Sequence, residues 1–216
     1  MIQSAVEEKL DSGIFNLPSL FWTPAYLDSS AWTEHIPFAF WLTEALKPKS
    51  FVELGVHNGV SYFAFCQAFR QLNLNVSSYG IDSWMGDEHA GFYNEEVFEK
   101  VSAHNTENYL RFSNLIRSTF DEAQPYFIDG TIELLHIDGL HTYEAVRHDF
   151  ENWLPKLSAN AVVILHDINV REKGFGVFSF WEELKKKYHQ HFQFDFGHGL
   201  GVVCIGNWPS PLLEKL

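Results

Sequence analysis

Acidic side chains stand directly after several apolar runs of this chain, where parallel strands would present them together. The residues that follow the predicted strands are Glu53, Asp82, Ser118, Asp138 and Asp167, and four of the five are acids. In an open sheet of parallel strands, ligands bind outside the carboxyl ends of the strands. The pattern therefore predicts a site in which carboxylates hold the hydroxyl groups of a ribose, or a cation beside it.

The loop after the first of these acids narrows the choice of ligand. Residues 52–61 read VELGVHNGVS, in which Gly55 and Gly59 are separated by three residues that include the bulky His57. A dinucleotide-binding loop needs G-x-G-x-x-G, whose middle glycine lets the backbone approach a pyrophosphate. The spacing thus disfavours a pyrophosphate and favours a ligand with a cationic group for Glu53 to hold, although Glu53 could instead cap amides of its own loop.

A second group of acids and histidines lies between residues 134 and 169. Asp138 and Asp167 end two predicted strands joined by one helical crossover, so as neighbours these strands would place the carboxylates about 5 Å apart, around one cation. Oxygen ligands alone suit Mg²⁺, whereas His166 as a ligand favours Mn²⁺, Fe²⁺ or Zn²⁺. The acids could instead cap helix starts. His141, just beyond Asp138, is a candidate general base because imidazole accepts a proton near neutral pH.

Apolar runs and helical periodicity predict the elements that position these residues. A helix is predicted over residues 32–46, ending before Pro48, and strands and helices then alternate. Continuously apolar strands that alternate with helices indicate a parallel sheet with helices on both faces. The predicted strands cover residues 50–54, 76–81, 115–117, 132–137, 161–166, 192–196 and 200–205. The last two flank Gly197-His198-Gly199 and predict an antiparallel hairpin at the end of a seven-stranded, Rossmann-like α/β sheet.

The length of 216 residues and the hydrophobic content of 46% suit one domain with a full core. Residues 1–48 are predicted to form an N-terminal arm and cap helix, and residues 49–216 the ligand-binding domain. A connection as long as residues 85–114 is more often functional than not, and it predicts a lid-like insertion. The aromatic-rich arm offers a surface on which a second subunit could pack, so a homodimer is one expectation.

Charge and hydropathy argue against two classes of partner. The formal net charge is −13, with 28 acidic against 15 basic residues, so the clustered Lys and Arg of a nucleic-acid interface are not expected. No apolar run approaches the roughly 18 residues of a membrane span. Because the N-terminus is charged rather than signal-like, the sequence predicts a cytoplasmic protein with a small-molecule partner.

Four segments together resemble the class I S-adenosylmethionine-dependent methyltransferases, in particular the branch of macrocin-type sugar O-methyltransferases and glycan-synthesis-associated methyltransferase domains. The segments are VELGVHNGVS, YGIDSW, IDGLHTYEAV and VVILHDIN, and the resemblance covers about residues 51–206. It implies methyl transfer from S-adenosyl-L-methionine to a hydroxyl of a small polar acceptor, a sugar or glycan precursor, with assistance from a divalent metal, Mg²⁺ or Mn²⁺.

The resemblance also implies roles for individual positions. From the amino-acid end of the cofactor through its ribose to its adenine, the implied contacts are Glu53, Gly55, Gly59, Ser61, Asp82, Ser83, Trp84, Ser118 and Phe120, together with Asp138. The implied metal ligands are Asp138, His166 and Asp167, where relatives have two acids in place of the His-Asp pair. Some relatives carry a catalytic carboxylate at the position of Leu140, so the implied base here is His141, with Asp138 beside it at the catalytic centre.

Three other functions stay open from the sequence. A dehydrogenase shares the βαβ start, but the missing middle glycine and the terminal hairpin disfavour it. A binding module of a glycan-assembly complex would keep the pocket and lack the reaction. A metal oxygenase would use Asp138, His141 and His166 as a two-histidine, one-carboxylate set. His57 and His198 are weaker candidates for contact with a ligand.

Overall fold

One seven-stranded sheet organises the part of the chain that the computed structural model describes, residues 16–87, 89, 91–172 and 174–216. In chain order the strands are β1 (Ser50–Leu54), β2 (Ser77–Asp82), β3 (Gly86–Asp87), β4 (Gly91–Phe92), β5 (Ser113–Arg117), β6 (Ile132–Ile137), β7 (Leu157–His166), β8 (His191–Phe194) and β9 (Leu200–Cys204). β3 and β4 form a separate ladder, and the others lie in the order β5-β2-β1-β6-β7-β9-β8. β9 alone runs antiparallel to both of its neighbours, β7 and β8. The predicted Rossmann-like sheet with a terminal antiparallel hairpin is confirmed.

Helices cover both faces of the sheet, as the alternation of elements predicts. They are α1 (Ile36–Leu46), α2 (Val60–Gln71), α3 (Glu95–Asn108), α4 (Phe120–Ala123), α5 (Tyr143–Trp153) and α6 (Val177–Lys187). α1 begins later than predicted, because Ala31–His35 forms a 3-10 turn and Pro37 then opens the α-helix, where its missing amide proton costs no hydrogen bond. None of the helices in the described residues is long and apolar enough to cross a membrane.

The centre of the sheet is buried on both faces, and β7 shows how the sequence produces this. Val162 and Ile164 pack into one core with α1 and α2, while Val163 and Leu165 pack into a second core with α5 and α6. Successive side chains of a strand point to opposite faces, so a continuously apolar strand supplies both cores. The side chains that could bind a ligand therefore follow the apolar run, at the carboxyl end of the strand.

The predicted arm and insertion are described in part. Residues 1–15 of the arm lie outside the described residues, and the rest of it leads through two 3-10 turns into α1, which packs against α2. The predicted insertion, residues 85–114, contains the β3–β4 ladder and α3. The domain boundary at residue 48, the lid and the homodimer stay predictions.

A buried carboxyl group lies beneath the carboxyl end of β6. Asp149 of α5 is almost fully buried, its Oδ2 has no hydrogen-bond partner among the described residues, and a Cβ placed on Gly139 would stand 3.3 Å from that oxygen. Burial raises the pKa of Asp149 to about 7, against the opposing charge of nearby His148. Between about pH 4 and pH 7, Asp149 is therefore protonated in the native protein and ionised in the unfolded chain.

We expect Asp149→Asn to be more stable than the wild-type protein at pH 8, by about 2–4 kcal/mol. Because the folded-state pKa is raised, the native state binds more protons between about pH 4 and pH 7, and the wild-type free energy of unfolding falls as the pH rises through this range. Urea unfolding at pH 5 and pH 8 measures the difference. Glu151→Gln, an exposed acid on the same helix, is the control; an equal gain in both variants would contradict the assignment.

Candidate active site

A cavity of about 410 Å³ opens at the carboxyl ends of the parallel strands, within the size range of small-molecule sites. Its wall combines the glycine loop after β1, the ends of β2, β6 and β7 and the start of α4. The lining residues fall in segments 29–31, 55–58, 60–61, 82–83, 118–120, 138–141 and 166–167, with Gly86, Tyr93 and His198. Ten of the predicted site residues line it: Gly55, Ser61, Asp82, Ser83, Ser118, Phe120, Asp138, His141, His166 and Asp167. The other three, Glu53, Gly59 and Trp84, stand behind the wall.

The glycine loop is pressed against the end of β6. Gly55 has a φ of +92°, and a Cβ at this position would lie 2.1 Å from the carbonyl oxygen of Asp138. The amide of Asp138 donates to the carbonyl of Leu54 at 2.8 Å, which holds the two segments together. Gly59, with a φ of +82°, precedes α2 and leaves room for the ring of Phe63. Both glycines are thus required by conformation and by space.

Asp82 fixes the shape of the same loop. Its Oδ2 accepts hydrogen bonds from the backbone amides of Val56 and His57, both at 2.9 Å, and its Oδ1 accepts one from the amide of Trp84 at 2.7 Å. A carboxylate offers about four acceptor positions, so one is left for a ligand hydroxyl in the cavity. The indole of Trp84 is buried, with its Nε1 donating to the carbonyl of His57 at 3.0 Å. Trp84 therefore supports the loop from behind.

Glu53 belongs to a buried chain of hydrogen-bonding groups. Its Oε1 accepts from the hydroxyl of Ser61 at 2.6 Å, and its Oε2 lies 3.0 Å from Nδ1 of His136. Burial raises the pKa of Glu53, while His136 and Ser61 oppose this rise. The indole of Trp32 donates to Nε2 of His136 at 3.1 Å, so the proton of a neutral His136 ring is on Nδ1, which lies near Oε2 of Glu53 without the geometry of a hydrogen bond. Among the described residues, Ser61 is the one that joins Glu53 to the cavity wall.

Neither His136 nor Trp32 is among the site residues that the sequence predicts. A signal for His136 exists, because each of the strands β1 and β6 has a polar residue directly before its last residue, and these two residues, Glu53 and His136, pair in register. Side chains opposite one another on adjacent strands share a face of the sheet. Tyr93 lies in the insertion that the sequence predicts to be lid-like, whereas no comparable local signal predicts residues 29–31, whose place in the cavity wall depends on the tertiary fold.

Two carboxylates and a histidine converge at the ends of β6 and β7. Asp138, His141 and Asp167 each place a donor atom within 4.8 Å of the others, and Nε2 of His141 is 2.8 Å from Oδ2 of Asp167 and 3.5 Å from Oδ1 of Asp138. Burial alone would lower the pKa of His141, but the two carboxylates outweigh it and raise the pKa to about 10. The pKa values of both acids are lowered, against the effect of burial, by His141 and His166.

His166 and Asp167 are consecutive, and both reach this cluster because β7 ends at His166. Asp167 has a φ of +61°, so the alternation of an extended strand stops there. Nδ1 of His166 lies 3.3 Å from Oδ1 of Asp138, and its Nε2 bonds to the carbonyl of Gly197 at 3.0 Å. Since a carbonyl only accepts, Nε2 carries a proton, and Nδ1 is the nitrogen that could ligate a metal. Nε2 of His35 donates to the same carbonyl at 2.9 Å.

One family of known proteins matches the middle of the chain. The family described as "Methyltransferase domain" matches residues 52–168. A protein of Sinorhizobium fredii, "Uncharacterized protein y4gI", is 48% identical over 207 residues, which are 95% of this chain and 22% of that protein. The chain thus spans about a fifth of the length of this relative.

Solved structures share the fold at low sequence identity. A putative caffeoyl-CoA O-methyltransferase from Staphylococcus aureus is 15% identical with a TM-score of 0.62, covering 90% of this chain and 88% of that one. The O-methyltransferase TomG from Streptomyces achromogenes, involved in tomaymycin synthesis and solved with S-adenosylmethionine, is 14% identical with a TM-score of 0.61, covering 91% and 86%. At these identities the likeness shows the architecture.

Proposed function

The chain belongs to the methyltransferase-domain family, and from this premise we propose that it transfers a methyl group from S-adenosylmethionine to a hydroxyl of a small polar acceptor, a sugar or glycan precursor, in the cytoplasm. One observation carries the proposal: the glycine loop, Asp82 and the cluster around Asp138 all face the same cavity. The loop forms one wall of this cavity, and the acids and histidines around Asp138 form the other. Such an arrangement suits a methyl donor and a methyl acceptor that must be brought into contact. The S-adenosylmethionine-bound TomG structure, which shares the fold, supports the choice of donor.

The loop wall suits the cofactor. S-adenosylmethionine, when bound, supplies the methyl group, and the chain's own residues hold and orient it. In this proposal Gly55, Ser61 and Asp138 meet its amino-acid end and Asp82 its ribose. Ser83, Ser118 and Phe120 meet the adenine. The other three residues support the wall without lining the cavity. Glu53 accepts a hydrogen bond from the hydroxyl of Ser61, and Trp84 donates one to the carbonyl of His57. Gly59 stands at the start of α2.

We expect Asp82→Asn to weaken the binding of S-adenosylhomocysteine about 100-fold and to lower the free energy of unfolding by about 2 kcal/mol. An asparagine has one acceptor oxygen, so at least one of the three amides that Asp82 now binds would face an NH₂ group instead. Titration calorimetry and urea unfolding measure the two effects. Glu214→Gln removes an exposed charge far from the loop and controls for net charge; unchanged binding in Asp82→Asn would contradict the role.

The acid and histidine wall suits a divalent cation. Asp138, His141 and Asp167 offer donor atoms close together, and Nδ1 of His166 adds a second nitrogen. A mixed oxygen and nitrogen set favours Mn²⁺ over Mg²⁺. A cation held by Asp138, His166 and Asp167 would supply Lewis-acid chemistry, lowering the pKa of an acceptor hydroxyl.

His141 is the proposed general base, with Asp138 beside it. Only its Nε2 faces the cluster, since Nδ1 is buried and has no hydrogen-bond partner among the described residues. With a pKa of about 10, this ring holds a proton at neutral pH in the ligand-free protein. To act as a base, His141 must release that proton before the acceptor hydroxyl gives up its own. Deprotonation and positioning of the hydroxyl are the protein's share of the reaction.

Ligand binding and methyl transfer test the proposal together. Calorimetry compares the binding affinities of S-adenosylhomocysteine and NADH. Transfer of a radiolabelled methyl group is measured with a panel of acceptors: monosaccharides, methyl glycosides and catechol. Each acceptor is tested with Mn²⁺, with Mg²⁺ and with EDTA. Binding of S-adenosylhomocysteine and labelling of a glycoside support the proposal. Preference for NADH would overturn it, labelling of catechol alone would replace the sugar acceptor, and binding without transfer to any member would favour a non-catalytic module.

A further inference from the structure

His198 stands at the turn between β8 and β9 and closes the cavity on the side of Asp167. Its Nδ1 lies 3.0 Å from Oδ1 of Asp167, and its ring is nearly parallel to that of His166, at 12° with centroids 6.2 Å apart. The side chain is 58% exposed and lines the cavity. From the sequence this histidine is one of the weaker candidates for contact with a ligand.

Asp167 decides which nitrogen of His198 can meet a ligand. An ionised carboxylate only accepts hydrogen bonds, so Nδ1 of His198 is the donor and carries the proton of the neutral ring. Nε2 then presents its lone pair away from Asp167. None of the hydrogen bonds found among the described residues uses this Nε2, which makes it an acceptor held in a fixed direction.

The other two histidines that contact Asp167 do not offer such an atom. His141 directs Nε2 to Asp167 and buries Nδ1. His166 directs Nδ1 to the carboxylates and Nε2 to the carbonyl of Gly197. Of the three rings, only that of His198 combines a carboxylate on one nitrogen with a second nitrogen available to a ligand in the cavity.

The backbone holds His198 in an unusual conformation. Its φ is +66°, between Gly197 at +56° and Gly199 at +87°. The carbonyl of His198 accepts from the amide of Asn169 at 2.9 Å, and a Cβ on Gly199 would lie 2.8 Å from Ile168, so the turn is pressed onto the segment after β7. A positive φ is uncommon outside glycine, although histidine adopts it more often than most side chains do, so the φ of His198 and its contacts with the segment after β7 fix where the ring stands.

We propose that His198 binds the acceptor, with its Nε2 accepting a hydrogen bond from the hydroxyl that is methylated or from the hydroxyl next to it. The inference rests on the proposed methyltransferase function and adds an acceptor contact from the terminal hairpin. The acceptor class that fits is one with a free hydroxyl donor at this position, such as a sugar with adjacent hydroxyl groups. An acceptor whose only oxygen there is an ether or carbonyl could not donate this hydrogen bond and would bind more weakly.

Two variants separate an acceptor contact from a structural role. In His198→Asn the side-chain NH₂ can replace Nδ1–H towards Asp167 and the residue tolerates a positive φ, but the outward acceptor is lost. In His198→Gln the longer side chain can place its oxygen near the position of Nε2, at the cost of the left-handed backbone. A structural role predicts that Asn is tolerated better than Gln. An acceptor contact predicts the reverse for catalysis.

Labelled methyl transfer into the best methyl glycoside of the panel provides the kinetic test. We expect His198→Asn to raise the acceptor KM at least 10-fold, with the dissociation constant of S-adenosylhomocysteine and the melting temperature near those of the wild-type protein. His198→Gln should recover part of the loss despite a lower melting temperature. An unchanged acceptor KM in His198→Asn would overturn the inference about His198 and leave the methyltransferase proposal intact. If the wild-type protein did not bind S-adenosylhomocysteine, the methyltransferase proposal would be overturned.

Nitrogen NMR gives a readout that needs no acceptor. In the protein with S-adenosylhomocysteine, labelled histidine should show His198 as the tautomer with its proton on Nδ1, assigned by loss of the signals in His198→Asn. A proton on Nε2 of the neutral ring would overturn the inference even if no glycoside of the panel were methylated.

Discussion

Gly55→Ala is expected to cost at least 3 kcal/mol of folding free energy and to abolish measurable binding of S-adenosylhomocysteine. The added methyl group would lie 2.1 Å from the carbonyl oxygen of Asp138 and 2.6 Å from its carbonyl carbon, and both belong to backbone that cannot move aside as a flexible side chain does. A φ of +92° adds strain for any residue with a Cβ. Relief requires β1 and β6 to separate at the end where the cavity forms.

Gly130→Ala is the matched control for this variant. Gly130 also has a positive φ, +73°, but nothing lies within 4 Å of the position its Cβ would take. We expect a loss of about 1 kcal/mol from conformation alone, with cofactor binding unchanged. Chemical denaturation of both variants isolates the crowding at Gly55. Equal stabilities for the two variants would show that the loop can withdraw from Asp138.

His141→Ala is expected to lower turnover by a factor of 10² to 10⁴ while the affinity for S-adenosylhomocysteine changes less than threefold. The ring is the proposed proton acceptor, and it stands at 2.8 Å from Asp167 on the acceptor side of the cavity. Its removal leaves the loop, Asp82 and the adenine side untouched. Single-turnover transfer of labelled methyl measures the chemical step apart from product release.

The control for this variant is His148→Ala, on the exposed face of α5, where the histidine contacts Asp121. We expect turnover within twofold of the wild-type value. Asp138 and Asp167 lose a cationic neighbour in His141→Ala, so the cofactor affinity has to be measured in the same preparation. Unimpaired turnover with equal affinity would exclude His141 as the base.

Local patterns in the sequence predicted the sheet, the hairpin and ten of the residues that line the cavity, because each depends on the chain next to it. A few neighbouring residues are enough to recognise each of these features: the apolar run of β7, the glycines of the loop and the acids at the strand ends. Their convergence follows from the general rule that parallel strands bring their carboxyl ends together. The meeting of Asp138 and Asp167 was therefore predictable before any distance was known.

Long-range partners were not predictable in the same way. The contact of Trp32 with His136, and that of His198 with Asp167, join segments that are 104 and 31 residues apart. A single sequence has no local signal for such pairs, because each depends on how whole elements pack. Glu53 illustrates the consequence: its type and position suggested a direct ligand contact, while its burial between Ser61 and His136 assigns it to the support behind the wall.

The carbonyl of Gly197 accepts hydrogen bonds from both His35 and His166. A shortened chain that retains the site must therefore include all three residues. Family similarity covers residues 52–168, yet His35 lies before that range and Gly197 beyond it. A fragment cut at those limits would lack β9, exposing the edge of β7, and would leave Nε2 of His166 and Nε2 of His136 without their present partners. A fragment that retains this chemistry therefore has to run at least from Ser29, the first wall residue before the 3-10 turn at Ala31, through the end of β9 at Cys204.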